Sequence, residues 1–201
     1  MAVDHLSLYQ LTIEDGTAFG DRYARGGLKG LPVEDTAADM FDATQEICEA
    51  HGYEAYEVSN HAKPGSESRH NLIYWRYGDY LGIGPGAHGR VTVGDRKFAT
   101  EAFRMPTRWL EAVEAGTGEK TKDALTPLDQ ANEYLLMGLR LAEGIDLERL
   151  NTISKTELNN QTLDHLISLG LLQIDGHRLS TTKRGRLVLN GILAELAFSP
   201  D

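Results

Sequence analysis

The segment from Ser68 to Tyr80, SRHNLIYWRYGDY, concentrates side chains that could do chemistry: one His, two Arg, one Asn, one Trp and three Tyr in thirteen residues. Aromatic rings offer flat apolar surface, guanidinium groups pair with carboxylates, and a neutral imidazole can ligate a metal through a ring nitrogen. A flat macrocycle with an iron centre and propionate arms is recognised by such a set. The same residues also suit an aromatic mini-core in which His70 is merely hydrogen-bonded, and residue types alone leave both readings open.

A glycine-rich loop follows, Leu81 to Gly89 (LGIGPGAHG). Gly84, Gly86 and Gly89 fall at G-x-G-x-x-G spacing, but a dinucleotide fingerprint needs a helix directly after it. Here Arg90 to Thr100 (RVTVGDRKFAT) reads as a β-hairpin about Gly94-Asp95. The loop is therefore read as backbone that comes close to a cofactor or to another strand. His88 lies in it. The remaining histidines show no metal-ligand spacing, and neither a nucleophile elbow nor a phosphate-binding P-loop is present. No catalytic residue is assigned. The single cysteine, Cys48, falls on the apolar face of an expected helix and reads as a small buried hydrophobe.

The elements that must position these residues alternate at first. His5–Ile13 and Tyr53–Ser59 read as strands. Between them Val33–His51 reads as a helix with Ala37, Met40, Phe41, Thr44, Ile47 and Cys48 on one face. Strand, helix, strand predicts two parallel strands of one sheet. The first strand has no earlier partner within these residues, so its edge is expected to be open. Asn60–Arg69 reads as a loop, Asn71–Tyr80 has no clear period, Thr107–Ala115 is a short helix, and Gly116–Asp123 a polar linker. From Pro127 the pattern is helical. A stripe of Leu128, Ala131, Leu135, Leu139 and Ala142 is followed by a short helix (Asp146–Asn151). A third helix, Lys155–Leu169, is capped by Ser154, and a small hairpin (Leu171–Ser180) precedes a last helix, Thr182–Phe198. That order is winged-helix-like.

With 30 acidic against 20 basic residues the net charge is −10, which disfavours nucleic acid as a partner, since phosphate contacts need clustered cations. The third helix carries Lys155 as its one Lys or Arg. The apolar runs fall far short of the ~20 residues of a membrane span, and no signal peptide is evident. A lone cysteine fits a reducing, cytoplasmic setting.

The stretches HLSLYQLTIEDGTAFG, EDTAADMF, GYEAYEVSNHAKPG and SRHNLIYWRYGDYLGIGPGAHG, with the terminal helical segment, resemble the HemW-type branch of the radical SAM coproporphyrinogen III oxidase-like (HemN) family. The resemblance implies an α/β fold: the C-terminal part of a partial (β/α) radical SAM barrel over residues 1–123, then a small winged-helix-like, mainly helical HemN-type domain over 124–201. It implies a fragment of a larger protein whose three-cysteine motif, S-adenosylmethionine and [4Fe–4S] cluster belong to the full-length form, since this chain lacks the cluster cysteines. The H-N-x-x-Y-W motif stands as His70-Asn71-Leu72-Ile73-Tyr74-Trp75. It implies haem bound by His70, Asn71, Tyr74 and Trp75, with His70 on the iron and Arg69 or Arg76 toward the propionates. Gln10, Gly84, Gly86 and His88 are implied on the S-adenosylmethionine side. The expected function is a haem chaperone for haem-dependent respiratory proteins, touching membranes only through a partner. The alternatives are an oxygen-independent coproporphyrinogen III oxidase and a non-catalytic interaction module.

Overall fold

A short edge strand opens the fold in the computed structural model, which describes residues 4–10 and 13–199. The chain separates into two units, Met1–Glu67 and Ser68–Asp201. In the first, β1 (His5–Ser7) precedes α1 (Ala18–Ala24), α2 (Glu34–Ala50), β2 (Glu54–Glu57) and β3 (Asn60–Ala62). The sheet order is β1-β3-β2, with both pairings antiparallel. β1 and β2 therefore share one sheet and run in the same direction, as strand–helix–strand patterning predicts, but they are not neighbours. β3 fills the gap between them, where the sequence reads as a loop.

Polar composition hid β3, and buried hydrogen bonding explains it. Asn60 and His61 are 3% and 1% exposed. The turn from β2 is held by the buried Glu57 carboxylate, which accepts from Ser59 N at 3.0 Å and from Asn60 Nδ2 at 2.7 Å. Asn60 Oδ1 accepts in turn from Ser7 Oγ on β1 at 2.7 Å. Buried polar groups persist only when so satisfied. β1 is shorter than the expected His5–Ile13 and stands at the sheet edge among the described residues; Leu11 and Thr12 lie outside them. α1 falls where the sequence suggests no element, and the Thr17 side chain caps it by accepting from Gly20 N at 3.0 Å. On α2, Cys48 is buried and its thiol pKa is pushed up by that burial. Met40 and Ile47, placed on the same stripe by periodicity, are exposed.

The second unit begins with α3 (Arg69–Trp75), followed by β4 (His88–Val93), β5 (Arg96–Ala102), α4 (Pro106–Glu114) and β6 (Glu119–Ala124). β4, β5 and β6 form an antiparallel meander. β6 occupies the expected polar linker; its alternating Glu119, Lys120, Lys122 and Asp123 are what an exposed edge strand carries. Then come α5 (Pro127–Gly138), β7 (Ile145–Asp146), α6 (Leu147–Ser154), α7 (Asn160–Ser168), β8 (Leu172–Asp175), β9 (Arg178–Thr181), α8 (Lys183–Leu187) and α9 (Leu189–Leu196). The sheet order β7-β9-β8 completes the winged-helix-like order. Leu135, Leu139, Leu141, Ile145, Leu150 and Leu179 form its core, each 2% exposed or less. No helix among the described residues is long and apolar enough to cross a membrane.

Two boundaries differ from expectation. Ser154 ends α6 instead of capping the third helix, and Lys155 after it is left-handed at φ 60°. Asn159 is the cap of α7, its Oδ1 accepting from Gln161 N and Thr162 N at 2.9 and 3.2 Å. Asn159→Ala is accordingly expected to cost about 1 kcal/mol in chemical unfolding, whereas Glu157→Ala, outside the helix, should change little. The last helix is divided at Val188, which joins α8 to α9.

Candidate functional site: the face of α3

Residues 69–75 form a helix because Ser68 caps it, Oγ accepting from Asn71 N at 3.3 Å. The helix ends in a wrapped turn: Tyr77 N donates to Tyr74 O and Gly78 N to Ile73 O, at 3.0 and 2.8 Å. The left-handed position of that turn, usually glycine, is taken by Tyr77 at φ 57°. A bulky residue there costs roughly 1–2 kcal/mol. The ring is buried, 4% exposed, with Lys97 Nζ 4.3 Å above its centroid and Tyr134 at 6.2 Å. Burial, and then the Glu133 carboxylate, push the Tyr77 phenol well above the ordinary tyrosine range. Its hydroxyl lies in the field of Glu133 without ordinary hydrogen-bond geometry. Glu133 itself holds Arg90 of β4 through Nε and Nη2, down to 2.6 Å.

Lys97 also donates to Asp79 Oδ1 at 2.7 Å, and Thr92 N and Oγ1 donate to the same carboxylate. Burial raises the Asp79 pKa, but the bonds from Lys97 and Thr92 together outweigh it, and the net direction is down. A carboxyl depressed in the folded state contributes stability above its unfolded pKa and loses it as pH falls through the folded value. Asp79→Asn should therefore flatten the loss of stability below about pH 4 relative to wild type. Urea midpoints at a series of acidic pH values check this; equal slopes in the two proteins would contradict it.

His70 lies in the first turn of α3 and is exposed, and its imidazole makes no hydrogen bond or ring contact among the described residues. This is not the hydrogen-bonded histidine of an aromatic mini-core. Ile73 and Tyr74, at i+3 and i+4, share its face; Ile73 is 50% exposed. Tyr74 packs edge-on against Trp75 (4.7 Å between centroids) and tilted on Tyr80 (5.1 Å). Trp75 is five residues from His70, about 140° around and about 7.5 Å along the helix. It lines a cavity of 530 Å³ with Arg76, Tyr134 and Arg149, and Arg140 stacks on its ring at 4.8 Å. Arg76 is bound to Glu143 through two bonds of 2.9 and 2.7 Å, which leaves Arg69 as the exposed guanidinium on the His70 turn. Asn71 is half-buried beside the cap.

The glycine loop is explained by strand approach. A Cβ at Gly82 would meet the His88 carbonyl at 2.5 Å, and one at Gly89 the Thr100 hydroxyl at 2.6 Å. Gly84 and Gly86 have positive φ. His88 is exposed at the start of β4, paired in register with Glu101. Gln10 belongs to the first unit, where its Nε2 donates to Ala37 O at 2.8 Å.

An exposed imidazole with an apolar and an aromatic neighbour on its face fits an axial haem ligand. An iron–sulfur cluster does not fit. Cys48 is the sole cysteine and is buried, and no group of three His, Cys, Asp or Glu among the described residues could hold a metal.

Comparison with known proteins gives this geometry its setting. Residues 125–188 match the HemN C-terminal domain family. The chain is 37% identical over 194 residues to heme chaperone HemW of Escherichia coli, covering 94% of this chain and 48% of that protein. It is 36% identical over 204 residues to the mouse mitochondrial radical S-adenosyl methionine domain-containing protein 1, covering 96% and 46%. HemW of Mycobacterium tuberculosis H37Rv is 34% identical, over 96% of this chain and 47% of its own. The solved structure of the E. coli coproporphyrinogen III oxidase HemN, a radical SAM enzyme, superposes with TM-score 0.68 at 18% identity over 96% of this chain and 48% of that one. At that identity it shows the fold alone.

Fold and terminal domain define a HemN-like α/β protein. The chain is similar to HemW- and HemN-type radical SAM proteins and spans about half the length of the curated relatives it matches.

Proposed function

We propose that this chain is the haem-binding part of a haem chaperone, with His70 as the axial ligand of the iron. The observation that carries this is the exposed, unengaged His70 imidazole within H-N-x-x-Y-W, in a chain 34–37% identical to proteins named heme chaperone HemW. On this reading Ile73 and Tyr74 supply the surface beside the ring, Trp75 braces Tyr74 from behind, and Arg69 is open to a propionate. Asn71 keeps the first turn of α3 in place. Residues 1–123 then belong to the radical SAM barrel and 124–201 to the HemN-type domain, with Gln10, Gly84, Gly86 and His88 toward S-adenosylmethionine. The cluster would be ligated by cysteines outside these residues, in a cytoplasmic protein that passes haem to respiratory enzymes.

The competing reading is a coproporphyrinogen III oxidase, favoured by the HemN-like fold. The two separate in one experiment on the full-length protein, loaded with cluster and S-adenosylmethionine. Stoichiometric haem binding without decarboxylation of coproporphyrinogen III is expected; turnover of that substrate would replace the chaperone reading.

A further inference from the structure

Three consecutive residues at the end of α3 are each held by a charged side chain of the HemN-type domain. The Arg140 guanidinium covers the Trp75 ring at 4.8 Å. Glu143 takes both arms of Arg76. Arg149 Nη1 donates to Arg76 O at 2.9 Å and Nη2 to Tyr77 O at 3.4 Å, while its guanidinium stacks on Tyr134 at 4.5 Å. The last carbonyls of a helix have no partner within it, and their capping decides whether the final turn persists. α3 has only seven residues, too few to be stable by its own propensity. Its end is also strained at Tyr77. An isolated helix of this kind would fray.

We propose that Arg149, supported by Glu143 and Arg140, is the positioning residue through which the HemN-type domain sets the pose of α3, and with it the direction of the His70 imidazole. The inference rests on the haem reading for its consequence. Its physical basis, capping of one element by another, does not. The planar guanidinium is what the task requires. It presents two parallel N–H donors to two successive carbonyls while lying flat on a ring, and a lysine ammonium cannot do both. None of the three residues touches His70 in sequence or through a contact described above, so they act on the ligand only through the helix.

The test uses full-length protein carrying Arg149→Met, Arg149→Lys or Glu143→Gln. Arg149 is exposed, so folding should survive with a melting temperature close to wild type. Two readouts are taken: amide hydrogen exchange of residues 70–78, and the Soret band and affinity in haem titrations. Arg149→Met should speed exchange across α3, broaden or shift the Soret band, and weaken haem by about 10- to 100-fold, the range for losing a group that orients a metal ligand. Arg149→Lys should recover only part of this. Unchanged exchange, or faster exchange with unchanged haem spectrum and affinity, would overturn the proposal while leaving His70 as ligand. If the wild-type protein binds no haem, the chaperone reading falls, and with it the consequence for His70.

Discussion

Gly144→Ala is expected to lower the melting temperature by about 10 °C or more. Gly144 joins the end of α5 to β7 at φ +66°, where a side chain costs roughly 1–2 kcal/mol before any contact is counted. Its Cβ would then collide with the Leu179 carbonyl oxygen, and would sit 2.7 Å from the Ser180 Cβ. That carbonyl belongs to β9, which pairs with β7 through Ile145 and Leu179. Both side chains are 0% exposed, so the strand cannot retreat without opening the core. Strain and lost packing together should exceed about 4 kcal/mol, and each kcal/mol lowers the melting temperature of a protein of this size by about 2–4 °C. Gly170→Ala is the control: φ is +67°, yet nothing lies within 4 Å of the new Cβ. It should show the backbone strain alone. Thermal unfolding by circular dichroism compares the two. Equal melting temperatures would mean that the β7–β9 approach is not what requires glycine at 144.

That glycine was not legible as special in the sequence, because its demand comes from a strand 35 residues away. The same reason accounts for the other misses. β3 reads as a loop because Asn60 and His61 are polar, and only the network of Glu57, Ser59 and Ser7 makes them a buried strand. β6 reads as a linker because an edge strand needs little apolar surface. α3 shows no period because its outward face carries His70 and Ile73 while its inner contacts are cation–ring stacks, which hydrophobic periodicity cannot register. The third helix starts late because Asn159 makes two cap bonds and Ser154 Oγ is bonded to Thr156 O. What was legible rested on local chemistry: α2, the Gly94 hairpin, the start of α5 at Pro127, the wing of β8 and β9, and the buried Cys48. At the site, residue types singled out the Ser68–Tyr80 segment, over which the structure places α3. The roles of Arg140, Glu143 and Arg149 had no signal, since what Glu143 and Arg149 hold, at Arg76 and Tyr77, is 67 to 73 residues away in sequence. Arg76, open to a propionate by composition, proves to be committed to Glu143.

The second large effect concerns His70, the proposed ligand. A helix first turn can offer an imidazole without desolvating it, and His70 has no internal bond to break before it meets iron. Its loss should therefore remove ligation while leaving the fold intact, because the cap at Ser68 and the turn at Tyr77 do not involve it. His88, exposed at the head of β4, supplies a matched control of the same residue type.

The direct measurement is a haem titration of full-length wild-type, His70→Ala and His88→Ala protein, followed at the Soret band, with circular dichroism to establish that each is folded. The expected result is a saturable, ligand-specific Soret shift in wild type and His88→Ala. In His70→Ala that shift should be lost and the affinity weakened by about 100-fold or more, at or beyond the upper end of what losing even an outer partner of a metal ligand costs. A folded His70→Ala protein that binds haem with the wild-type spectrum and affinity would contradict His70 as the iron ligand.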